Sequence, residues 1–144
     1  MFETSLNTIN LSGTEFPVKC SLLVLEQIQD KYGDYKAFED KIFRFTPDLD
    51  EKGEMIPMGE GMVRGKFGDP EVSALKDGLY MMVAEGMAIK HEPFDLTPDD
   101  LIRLADMPPS ELGNLLHEEF MRAFERKNPP KSTQKKRTTK KTSE

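Results

Sequence analysis

Ser5-Leu6-Asn7-Thr8-Ile9-Asn10-Leu11-Ser12-Gly13-Thr14-Glu15-Phe16-Pro17-Val18-Lys19-Cys20-Ser21-Leu22-Leu23-Val24-Leu25 changes period within one short run, and that change decides the fold. Leu6, Ile9 and Leu11 lie among Thr and Asn, and Phe16 to Cys20 forms a second short β-prone segment. Ser12-Gly13-Thr14 between them is turn chemistry, because glycine takes positive φ without steric cost. Residues 5–20 therefore predict a β-hairpin. Pro17 has no N–H to give a ladder, so its strand belongs at an edge. At Ser21 the pattern becomes helical. A serine hydroxyl accepts from a first-turn amide, and Leu22, Leu25, Ile28 and Tyr32 then share one helical face, widened at its start by Leu23 and Val24. Gly33 is the stop signal.

The same grammar extends along the chain. Asp34 caps a second predicted helix striped by Tyr35, Phe38, Ile42 and Phe45 and ended by Thr46-Pro47. Residues 46–68 lose all period: glycines, prolines and acids surround Met55, Ile56, Met58, Met62 and Val63. This reads as a long loop with room for a short hairpin about Gly59-Glu60-Gly61, and a loop of that length is usually functional or mobile. Asp69-Pro70 restarts a helix, with a cap followed by proline at the first helical position, over roughly residues 70–89. Its stripe is Val72, Leu75, Leu79, Met82 or Val83, and Gly86. Thr97-Pro98-Asp99-Asp100 opens a short helix. Pro108-Pro109-Ser110-Glu111 opens the last one, striped by Leu112, Leu115 or Leu116, Phe120 and Phe124.

The fold class that follows is α+β and mostly α. An N-terminal β-hairpin packs on a bundle of about four to five helices within a single domain at 1–127 that includes the 46–68 loop. Apolar residues stop after Lys127, and Asn128-Pro129-Pro130 forbids helix continuation. Residues 128–144 are expected to be a disordered basic tail.

Charge divides the chain the same way. Residues 127–144 hold seven Lys/Arg against Glu144, a net of +6; the whole chain is −6, which leaves −12 on residues 1–126. A body so acidic repels nucleic acid, so binding of that kind could come only from the tail, and no aromatic residue there offers stacking. Of all residues 37% are hydrophobic and 32% charged, and no run approaches membrane-spanning length. The N-terminus has no basic or apolar leader character, which predicts no export. The single cysteine, Cys20, cannot pair within the chain and fits a reducing compartment.

Little in the sequence carries catalysis, and no enzyme, cofactor or metal is expected. The two histidines, His91 and His117, lack partners at metal-ligand spacing. His117 reads as a helix-surface residue, because its neighbours Glu118 and Glu119 point elsewhere. Cys20 reads as a small buried hydrophobe. Asp48-Leu49-Asp50-Glu51-Lys52-Gly53 begins like a calcium loop, but Lys52 stands at a ligand position and Gly59 where a bidentate Glu is required. Gly59-Glu60-Gly61-Met62-Val63-Arg64 fails as a dinucleotide loop, since Arg64 replaces the third glycine.

Methionine is the unusual feature: nine in all, six of them between Met55 and Met87. Flexible thioethers suit first of all a core or oligomer interface, and after that a face that adapts to partners. The partner-binding reading falls on Met81, Met82 and Met87 of the long helix, together with Phe120 and Phe124 of the last.

Phe16-Pro17-Val18-Lys19-Cys20-Ser21-Leu22-Leu23-Val24-Leu25-Glu26 resembles the opening of tail assembly chaperones of long-tailed, siphovirus-type bacteriophages and prophages of Gram-positive hosts. Leu75-Lys76-Asp77-Gly78-Leu79-Tyr80-Met81-Met82-Val83-Ala84-Glu85-Gly86 is similar to a later helix of that group. The resemblance spans roughly residues 5–92. It implies a non-catalytic protein that binds the tape-measure protein in the host cytoplasm and is absent from the mature virion. It also implies a longer frameshifted product that helps bring tail-tube protein to the tape measure. Lys135, Lys136, Arg137, Lys140 and Lys141 would then lie in a linker to that extension. Self-association is compatible with this reading; a membrane is not. The competing reading is a small phage-encoded nucleic-acid adaptor acting through the basic tail.

Overall fold

In a computed structural model the structure describes residues 5–125. The expected tail at 128–144, with Lys135, Lys136, Arg137, Lys140 and Lys141, lies outside those residues. The chain folds as the α+β, mostly helical arrangement read from the sequence: a hairpin, five helices, and small β pairings between the second and third helices.

Strands β1 (Asn7–Leu11) and β2 (Thr14–Val18) pair antiparallel, Leu11 opposite Thr14 and Asn7 opposite Val18. Ser12 and Gly13 turn the chain with φ of 53° and 87°. Both signs are positive, as the right-handed twist of a two-residue hairpin demands. Ile9, Leu11, Phe16 and Val18 point into the core. The tip is pinned by Ser12 Oγ donating to the Leu104 carbonyl at 2.6 Å.

Helix α1 (Leu22–Tyr32) starts where Ser21 Oγ accepts from Val24 N and stops at Gly33, whose φ of 94° and N–H bond to Gln29 O close the last turn. Helix α2 (Tyr35–Ile42) is capped by Asp34, whose carboxylate accepts from Ala37 N at 2.8 Å. Each such cap is worth about 1 kcal/mol. The second helix is shorter than its stripe implied. Phe43 turns extended, and Phe45 enters strand β3 (Phe45–Pro47) instead of prolonging the helix.

The expected loop at 46–68 is a nested β-extension. Strand β3 pairs with β6 (Gly65–Phe67), Leu49 bridges Met55, and β4 (Pro57–Gly59) pairs with β5 (Met62–Val63). The turn falls at Glu60-Gly61, both at positive φ. Strands of two or three residues are too short to show a period, which is why the sequence reads as a loop.

Helix α3 (Val72–Ile89) is the axis of the molecule. Asp69 does not cap it: the backbone of Glu71 does, without a side-chain bond. Pro70 is buried, acting as a wedge beside Gly113, and the Glu71 carboxylate turns to Lys41 and Arg44 instead. Helix α4 (Pro98–Leu104) opens with a reciprocal capping box between Thr97 and Asp100. Helix α5 (Pro109–Arg122) closes the bundle. Leu75, Leu79, Met82 and Val83 of α3 meet Ile28, Phe38, Ile42, Leu101, Leu116 and Phe120 in one core.

Candidate partner-binding surface

Helix α3 is apolar on almost every side, so its neighbours decide which methionine is free. Met82 is fully buried, and its carbonyl accepts the Lys19 N–H at 3.0 Å, tying the end of the hairpin to the helix. Met81, one helical step round, is half-buried in a groove of about 450 Å³ between α1 and α3. Gln27, Asp30, Lys31, Tyr80, Ala84 and Glu85 line the rest of it. Lys31 is held by Asp77 at 3.2 Å, and Tyr32 donates to the same carboxylate at 2.6 Å. Burial first, and that bond to Asp77 second, push the Tyr32 hydroxyl well above the usual tyrosine range. Asp30 and Glu85 leave the groove with an acidic rim. Met87 is half-buried and packs on the core.

The two phenylalanines divide. Phe120 is core, 2% exposed and wedged between Phe38 and Phe124 with ring centroids 5.6 and 5.3 Å away. Phe124 is 49% exposed and meets Tyr35 edge-on. Of the five side chains expected to contact a partner, Met82 and Phe120 are therefore out of reach, because the faces they occupy are covered by the bundle.

The exposed methionines lie elsewhere. Met55, Met58 and Met62 on the β-extension are each more than half exposed, as are Leu49 and Phe67. Among the described residues the strands of the extension pair only with one another, and its base is held by Phe67 against Phe43 and Phe45 and by Arg64 on Asp48 at 2.9 Å. The signal was present in the sequence as methionines without a period.

The titratable groups do structural work. Glu119 is a buried carboxylate, 4% exposed, that receives Asn7 Nδ2 at 3.0 Å, Cys20 N at 3.4 Å and Arg122 at 2.7 Å. It joins α5 to the start of β1 and the entry of α1, and sequence reasoning missed it. Burial, aided by the Glu119 charge, pushes the Cys20 thiol up to about 12, the opposite of what a nucleophile needs. His117 is no surface residue: its ring stacks on Phe43 at 4.0 Å, nearly parallel, and Nε2 lies 2.8 Å from Glu39 Oε2, linking α5 to α2. Among the described residues no group of His, Cys, Asp and Glu is placed to hold a metal, and no helix is long and apolar enough to cross a membrane.

No family model, curated protein or solved structure matches this chain.

Proposed function

We propose that the protein is a phage tail assembly chaperone that holds a tape-measure protein in solution until tail-tube subunits surround it. The observation that carries this reading is the combination of a strongly acidic body with a row of exposed, flexible apolar side chains. Leu49, Met55, Met58, Met62 and Phe67 stand exposed on a β-extension whose strands, among the described residues, pair only with one another, and Met81 lies in an acid-rimmed groove on the bundle. Methionine surfaces adapt to more than one sequence, and exposed apolar area of this kind marks interaction sites. A long, largely helical client needs such cover, and the acid excess keeps the complex from aggregating. The role is non-catalytic and belongs to the host cytoplasm. Recruitment of tube protein would fall to a longer frameshifted product.

The test is co-expression with a tape-measure fragment that is insoluble alone. Recovery of the fragment in a soluble 1:1 or higher complex supports the reading, and an unchanged insoluble fraction rejects it. A salt titration on DNA tests the nucleic-acid alternative, which requires affinity that falls steeply with salt.

A further inference from the structure

The hairpin is guarded on one edge and open on the other. On β2, Pro17 has no N–H to offer, its carbonyl abuts Gly86, and Lys19 N–H is taken by Met82 O. Strand β1 has no such protection. A two-residue turn closes on a hydrogen-bonded pair, so Leu11, Ile9 and Asn7 spend their backbone groups on β2. Thr8 and Asn10 then direct theirs outward, and no backbone group among the described residues meets them there. Natural edges are usually blunted by lysine, proline or a bulge. Residues 5–14 contain no charged residue and no proline, in a chain that is 32% charged. Beside this edge lies a groove of about 360 Å³ with Leu6, Ile9, Leu115 and Leu116 on its walls, Leu115 being 38% exposed; Glu118 and the Glu119–Arg122 pair line its other side.

We propose that β1 pairs antiparallel with β1 of a second copy, joining two hairpins into one four-stranded sheet. Charge favours this seam: between two chains of net −6 each, residues 5–14 appose no like charges along the strands, and the edge is self-complementary about a two-fold axis. The outward groups fix the register, with Thr8 opposite Asn10 of the second copy and Ile9 opposite its own counterpart. Leu115 of each copy then closes over the groove. The inference is independent of the chaperone reading.

Sedimentation of the full chain at rising concentration tests it. The expected result is a monomer–dimer equilibrium that strengthens with salt, because screening weakens the repulsion between two chains of net −6. Thr8→Pro removes an outward N–H while fixing φ at residue 8 in a range an edge strand accepts, and should weaken the dimer about tenfold, one ladder bond being lost from each copy, with the melting temperature reporting that the fold survives. Thr8→Cys mixed with Asn10→Cys should form an inter-chain disulfide, which neither variant forms alone; Cys20 is buried and stays out of the reaction. A monomer at all concentrations and salts overturns the proposal. So does a dimer that Thr8→Pro leaves intact, or one in which the mixed cysteines fail to cross-link.

Discussion

Gly86 lies hard against Pro17: a Cβ at residue 86 would stand 2.5 Å from the Pro17 carbonyl oxygen. The absence of a side chain there lets the hairpin settle directly on α3, and the Lys19–Met82 backbone bond fixes it in place. Alanine would gain about 1 kcal/mol of helix propensity. It would also force apart two backbones that cannot turn aside, a strain of about 1–3 kcal/mol. Gly86→Ala should therefore lower stability, a result opposite to that of an exposed helical glycine. Urea denaturation checks it; an unchanged or raised midpoint would mean that the hairpin moves freely off the helix.

Met82 and the methionines of the β-extension should respond in opposite ways to the same substitution. Met82→Glu places an unpaired charge in the core and should cost more than about 4 kcal/mol, enough to unfold a domain of ordinary stability. Met58→Glu and Met62→Glu, at positions 61% and 58% exposed, should change stability by less than about 0.5 kcal/mol. If the extension holds the client, the latter two should also reduce co-purification of a tape-measure fragment several-fold. Met81→Glu in the groove tests the second surface in the same assay. Unchanged recovery with all three would remove both surfaces from the proposed role.

Cys20 should be inert while the protein is folded. Its thiol is buried and pushed up to about 12 from 9.0, so the thiolate that reacts with alkylating reagents is scarce in the native state. Labelling with iodoacetamide should proceed at the rate of global opening and accelerate sharply in denaturant. The sign of the linkage is fixed. A raised native value contributes stability that is complete below the unfolded thiol value and is lost as pH rises through about 12. Fast labelling in native buffer would show that the hairpin–helix junction opens locally.

The Asp100 carboxylate should shape the acid side of the stability profile. Bonds from Thr97, backbone N–H first and hydroxyl second, hold its pKa below the ordinary value. A depressed native value means stability that is present above the unfolded carboxylate range and lost as pH falls through the native one. Asp100→Asn should lower the melting temperature at neutral pH, leave it unchanged in strong acid, and so flatten the acid limb. Parallel profiles for the two proteins would show that the capping box contributes nothing through charge.

The local elements were legible because their causes are local. Ser21, Asp34 and Thr97 each accept an amide three residues on, and Ser12-Gly13 makes its turn from its own φ values, so a few residues of sequence contain the whole argument. What the sequence left open was open for a physical reason. Helix α3 carries apolar side chains nearly all round, so its stripe set Met82 on the core side but could not say how far Met81 and Met87 beside it are covered; the placement of α1, α2, α5 and the hairpin decides that. Phe45 fits a helical stripe, yet it pairs with Phe67, a partner too distant in sequence for any local pattern to announce. Glu119 shows the widest gap. In sequence it is one more surface acid on a charged helix, and only the fold brings Asn7, Cys20 and Arg122 to it. Propensity, caps and turns set which elements form, because they depend on neighbours along the chain. Which faces are covered, and so which methionines remain for a partner, depends on groups far apart in sequence and was decided by tertiary packing alone.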